Sequence, residues 1–196
     1  MGRVIHLCAE AAVASIVLIP LFLFLDRRRF HNRKRTILYC ILAVYLSAMY
    51  AVVGLPDIRY IRFQPHFNFV PFAYMFSDYK NSLLNVLLFM PLGFLLPVLW
   101  ARFQKAAWTV LLGLGLSFLI EVLQIFTLRA TDVNDLMTNT LGTFSGWCVA
   151  RLMPARAIAV QPQESTRDLR LVFGITFLIM FLLHPLLSEC IYRFFR

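Results

Sequence analysis

Apolar residues in this chain fall into six long runs separated by short polar connections. The runs extend from Cys8 to Leu25, Ile37 to Gly54, Leu83 to Trp100, Ala106 to Leu128, Leu136 to Met153 and Leu171 to Tyr192. Each approaches the ~20 residues that a helix needs to cross a ~30 Å hydrocarbon layer. The pattern predicts an all-α, polytopic transmembrane helical bundle of about six spans. The fifth run is the most polar, with Thr138, Asn139, Thr140, Thr143 and Ser145. Those residues place it against protein on several sides. The connection Ala155 to Ser165 reads as a plain linker, and the connection Leu55 to Ser82 is crowded with aromatics. Aromatic rings favour the headgroup layer. This connection reads as an interfacial belt, or else as a lid over a polar cluster or a platform for a lipid-like ligand.

Composition agrees with the pattern. Sixty percent of the 196 residues are hydrophobic, and the mean hydropathy is +0.73. A soluble domain usually sits near 45–50% apolar. The formal net charge of +9 does not argue for nucleic acid, because the cations lie between apolar runs. Arg27, Arg28, Arg29, Arg33, Lys34, Arg35, Arg102, Lys105, Arg151, Arg156, Arg167 and Arg170 occupy alternate connections. The opposite side holds Arg3, Arg59, Arg62, Lys80, Arg129, Arg193 and Arg196. Positive residues stay on the cytoplasmic side, so both termini are predicted to be non-cytoplasmic. A single membrane domain, residues 1–196, is expected. The cysteines Cys8, Cys40, Cys148 and Cys190 lie in or beside apolar runs without metal-ligand spacing, and they read as small core residues.

Polar side chains inside apolar sequence are costly and need a reason. Glu121 and Gln124 are three apart on one helix face. Asp132, Asp135, Asn139, Gly142 and Gly146 follow at spacings of three, four, three and four, which makes one stripe of the next helix. With Asp132 as its cap, Asn139 lies ~10 Å below that end. Asn85 falls at a similar depth on the third run, and Gln124 and Glu121 lie ~6 and ~10 Å below the outer end of the fourth. Amides and a carboxylate from three helices therefore meet in one outward layer, with Arg129 beside it for an ion pair. For Asp132 and Asp135, capping of the helix start is the simpler alternative. Gly142 and Gly146 form the G-x-x-x-G spacing that lets backbones approach closely. Pro91 frees the carbonyl of Leu87, which either opens space for a ligand or only shapes packing. Glu10, His184 and Glu189 are accessory.

Three stretches together resemble the VanZ-like family: FNFVPF with Asn68, Pro71 and Phe72; LLNVLLFMPLGFLLP with Asn85, Phe89, Pro91, Gly93 and Phe94; and FLIEVLQIFTLRATDVNDLMTNTLGTFSG. The resemblance covers Ile37 to Met153 as a core, with residues 1–36 and 154–196 flanking it. It implies a small integral protein of the bacterial plasma membrane, and adds Asn68 to the candidate ligand-binding set of Asn85, Glu121, Gln124, Arg129, Asp132, Asp135 and Asn139. The family's founder lowers sensitivity to teicoplanin, a lipid-tailed glycopeptide.

Three functions follow. The first is a non-enzymatic binder or carrier of an amphiphile, which takes membrane lipids or a lipid-linked precursor as partner and needs no cofactor. The second is an intramembrane enzyme on a lipid-linked substrate, with Glu121, Asp132 and Asp135 as acid–base groups or ion ligands. No H-E-x-x-H, G-x-S-x-G or phosphate loop supports it. The third is a structural or signalling subunit whose polar layer only locks helices together.

Overall fold

The computed structural model describes residues 2–56, 58, 61–63, 67–68, 70–72, 79–127, 131–153, 162–186 and 189, and for residues 2–11 and 67 the backbone alone. The chain is helical at each of the six apolar runs. The helices are α1 (Gly2–Leu25), α2 (Arg33–Val53), α3 (Tyr79–Leu99), α4 (Ala106–Gln124), α5 (Val133–Leu152) and α6 (Arg167–Leu178). A π-helical turn, Asp26–Phe30, follows α1, and another, Ile179–Leu183, extends α6. Several helices start before the apolar run does, because hydropathy marks only the greasy part. α2, for example, begins on Arg33 and is capped by Asn32, whose side chain accepts from the N–H of Arg35 at 3.1 Å.

Among the described residues, four helical stretches are long and apolar enough to cross a membrane: α2, α3, α4 and Arg167–Leu186. The expected six spans are thus four by this measure: α1, whose side chains are described only from residue 12, and α5 are not among them, and for α5 its chemistry explains why. Its hydroxyls fold back onto its own backbone. Thr138, Thr140, Thr143 and Ser145 donate to the carbonyls of Asn134, Leu136, Asn139 and Leu141 at 2.7–3.0 Å. A hydroxyl closed in this way adds little polarity to the helix surface. α5 can then sit in the middle of its neighbours despite its low hydropathy.

The helices gather into two compact units, residues 1–61 with 167–196, and residues 62–166. In the first unit α2 packs against α1 and α6. Asp168 of α6 is buried there and accepts from Arg29 Nε at 3.3 Å and from the Tyr39 hydroxyl at 3.3 Å. Asp26 accepts from the Thr36 hydroxyl at 2.7 Å and from the Asn32 N–H at 3.0 Å, which ties the π-helical turn to α2. Gly54 ends α2 at φ 63°, where a side chain would be strained.

In the second unit α5 packs on both α3 and α4. Glycine sets the spacing. A Cβ on Gly142 or Gly146 would overlap the carbonyl oxygen of Val86 or Met90, and one on Gly93 would overlap that of Thr143. The backbones of α3 and α5 are therefore in direct contact, as the G-x-x-x-G spacing predicts. The far end of this unit is also tied down. Gln163 donates its N–H to Leu99 O at 2.8 Å and accepts from Ala101 N at 3.0 Å. The stretch expected to be a plain linker thus ends in a backbone clamp on α3, beside the fully buried Trp100.

Candidate functional site

The polar layer lies in the second unit, where α3, α4 and α5 meet two short extended segments. β1 (Phe67–Asn68) and β2 (Thr131–Asp132) pair in parallel, with Asn68 opposite Asp132. The pair places Asn68 Nδ2 3.1 Å from Asp132 Oδ2. Asp132 caps α5, accepting from the N–H of Asn134 at 2.8 Å. Its own N–H donates to Glu121 Oε2 at 2.8 Å, and the Thr131 hydroxyl donates to the Glu121 carbonyl at 3.1 Å. One carboxylate on α4 therefore holds the segment that starts α5.

Two further contacts join the helices. Asn85 Nδ2 of α3 donates to Asp135 Oδ1 of α5 at 2.7 Å. Asn139 Nδ2 of α5 donates to Ser117 Oγ of α4 at 2.9 Å. Glu121, Gln124 and Asn139 are buried, at 4–5% exposure, and Asn68, Asn85, Asp132 and Asp135 are half-buried. The layer thus has an enclosed floor and a more accessible rim. Asn139 Oδ1 is buried and has no hydrogen-bond donor among the described residues. Such an acceptor costs about 1–3 kcal/mol relative to a satisfied one.

Of the eight residues expected to bind a ligand, Asn68, Glu121 and Asp132 are linked directly, Asn85 pairs with Asp135, and Asn139 joins α5 to α4 one turn from Glu121. Gln124 lies on the Glu121 face of α4, buried. Arg129, and with it the expected ion pair, lies outside the described residues. So does the side chain of Glu10. Among the described residues, no three His, Cys, Asp or Glu side chains are grouped to hold a metal ion.

Two residues of the layer went unnoticed in the sequence. Ser117 continues the Glu121–Gln124 face one turn earlier, so extending that stripe would have found it. Asn134 is the larger omission. Its Oδ1 accepts from Phe72 N at 2.7 Å, and its Nδ2 reaches Asp132 Oδ1 at 2.9 Å and Val70 O at 3.4 Å. It fastens the described part of the aromatic connection to the start of α5. Phe72 is held at φ 61°, a left-handed conformation uncommon for a bulky residue. The rings of Phe63, Phe72 and Tyr79 are exposed, while Tyr60, Phe69, Tyr74 and Phe76 lie outside the described residues.

Apolar helices of spanning length, joined by amide–acid contacts near one end, define a multi-pass membrane protein with a shared polar layer. Known proteins narrow this further. The model of the family described as VanZ/LLP1 matches residues 36–154, more than half of the chain, and the chain belongs to that family. It is 35% identical over 86 residues to Protein VanZ of Enterococcus faecium, covering 42% of this chain and 51% of that protein. The chain thus spans about half the length of the curated relative it matches. No solved structure matches it. Its long apolar helices and its family make it a multi-pass protein of the bacterial plasma membrane.

Proposed function

We propose that the chain is a six-span, non-enzymatic membrane protein with both termini outside the cytoplasm, and that its outward polar layer binds the headgroup of an amphiphile. Candidate ligands are a phospholipid, a lipid-linked cell-wall precursor or a lipoglycopeptide such as teicoplanin. The resemblance makes glycopeptide tolerance the phenotype to examine. The observation that carries this reading is the surplus of acceptors on the floor of the layer. Asn139 Oδ1 meets no donor among the described residues. A carboxylate offers about four lone-pair sites, and the Glu121 side chain receives the Asp132 N–H on one oxygen. A headgroup bearing hydroxyl, amine or amide donors complements such a floor. Arg129, in the segment between α4 and β2, supplies a cation for a phosphate or carboxylate on the same ligand.

A second reading has its own support. The contacts Asn85–Asp135, Asn139–Ser117 and Glu121–Asp132 all join separate elements, which is what a purely structural lock does. Glu121→Gln separates the two, because it keeps shape and removes charge. The gently extracted protein is mixed with teicoplanin, a polyprenyl phosphate or a phospholipid and weighed by native mass spectrometry. A ligand role predicts at least a tenfold loss of amphiphile retention at an unchanged melting temperature. Retention that stays at the wild-type level while the melting temperature falls assigns the layer to helix locking.

A further inference from the structure

α4 and α5 also frame an apolar groove that uses none of the residues of the polar layer. A groove of about 470 Å³ runs between these helices, walled by Val110 and Leu114 of α4 and by Leu136, Met137, Thr140 and Phe144 of α5. Its walls are almost wholly apolar, and Leu114 and Phe144 are partly exposed. The size is that of a small-ligand pocket. Hydrogen bonds from ligand to groove are not what its lining offers, since the Thr140 hydroxyl is turned onto the Leu136 carbonyl at 2.7 Å.

From the groove a continuous set of contacts leads to positive charge. The Phe144 ring stacks on Trp147, with centroids 6.1 Å apart and planes 14° apart. Trp147 donates its indole N–H to Gln104 O at 3.2 Å, and the Arg151 guanidinium lies 5.9 Å from its ring. Gln104 ends the short 3-10 turn Ala101–Gln104 that also carries Arg102. The Arg102 guanidinium sits 3.9 Å over the ring of Trp108, at the start of α4. Lys105 is exposed between them. Three cations, Arg102, Lys105 and Arg151, thus lie around the Gln104–Trp147 contact, which adjoins the groove at Phe144. Indole rings prefer the bilayer interface, and stacked guanidinium groups keep donors free for phosphate.

We infer that this groove and its cationic end form a site for one anionic glycerophospholipid, with an acyl chain against Phe144 and Leu114 and the phosphate between Arg102, Lys105 and Arg151. Basic pockets between transmembrane helices bind anionic headgroups on this principle. The site shares no residue with the polar layer around Glu121, so it stands or falls independently of the function proposed above.

Fluorescence quenching tests it directly. Bromine on an acyl chain quenches indole emission at short range. Trp100 is fully buried, whereas Trp108 is 39% exposed and Trp147 is half-buried, so these two report the site. The purified protein is reconstituted with brominated phosphatidylglycerol or brominated phosphatidylcholine. Phosphatidylglycerol is expected to occupy the site at least fivefold better, and Arg102→Gln with Arg151→Gln to lose most of that preference. Arg102→Lys, which keeps the charge, retains most of it. Should the double variant fail to fold, 1 M salt on the wild type serves instead. The Debye length there is about 3 Å, and the preference is expected to disappear. Val110→Phe fills the groove and is expected to lower quenching by both lipids. Equal quenching by the two lipids in low salt, a preference that survives loss of the charges, or undiminished quenching in Val110→Phe would each overturn the inference.

Discussion

Among the described residues, each unit buries one carboxylate, Asp168 in the first and Glu121 in the second, and the two are answered differently. In the first, Asp168 meets a guanidinium and a phenol, and Asp26 meets a hydroxyl and a peptide N–H. The buried Asp168 has its charge matched by a cation, while the half-buried Asp26 is held by neutral donors. In the second, Glu121, Asp132 and Asp135 are met by peptide N–H groups and by the amides of Asn68, Asn85 and Asn134. Neutral donors organise a carboxylate without cancelling its charge. A cluster of the first kind is complete as it stands. Glu121, buried and met by the Asp132 N–H, keeps attraction for something further, which is the contrast on which the proposed site rests.

Mutations can break that contrast, beginning with the scaffold. Gly146→Leu forces a side chain into the Met90 carbonyl and the turn around Pro91. A loss of about 3 kcal/mol or more is expected, visible as low recovery or a collapsed thermal transition in detergent. Wild-type recovery would mean that α3 and α5 are not in backbone contact. Asp168→Ala probes the first unit. Removing a buried carboxylate from Arg29 and Tyr39 is expected to cost about 1–3 kcal/mol, with amphiphile retention intact once the protein is folded. Loss of retention at full stability would place function in the wrong unit.

Asn139→Leu sharpens the contrast from the other side. It deletes the unmatched acceptor and keeps the branching at Cγ, though with a bulkier side chain, so the folding free energy is expected to move by about 1 kcal/mol in either direction. Retention of ligand is expected to fall. A large destabilisation would show that the Ser117 bond, and not a ligand, accounts for the residue. The smallest effect concerns acid. The Thr36 hydroxyl, then the Asn32 N–H and the charges of Arg33 and His31, hold the Asp26 carboxyl below its ordinary value, against the opposing pull of desolvation. A lowered folded-state value means stability that is present above about pH 4 and is lost as pH falls through the folded value. Thr36→Val is expected to raise that value and move the acid limb of the stability curve upward, as carboxyl titration by NMR would register.

Much of this was legible before any coordinates. The six runs, the cap at Asp132, the close approach at Gly142 and Gly146, and the meeting of Asn85 with the α5 stripe all follow from spacing. Helical period is a strong signal because it repeats. The features that escaped have no period. A two-residue parallel pair such as Phe67–Asn68 with Thr131–Asp132 leaves no alternation to read. Asn134 sits one residue off the stripe and acts through loop backbone. Gln163 makes its clamp with its peptide group, so its side chain advertised nothing. The count of spanning helices was legible only in part: six runs are read from the sequence, whereas four helical stretches among the described residues are long and apolar enough to span, the polar residues of α5 lowering its hydropathy.

The glycine contacts have a mechanical consequence. With Gly93, Gly142 and Gly146 seated on opposing carbonyls, α3 and α5 cannot slide or rotate past each other without steric collision. They behave as one rigid beam that carries Asn85 and Asp135 in fixed register. α4 meets α5 at Gly113 through the side chain of Thr143 and not through its backbone. Any breathing that admits a guest therefore belongs to α4 and to the β1–β2 strap, and cross-linking α3 to α5 should leave entry untouched while cross-linking α4 to α5 arrests it.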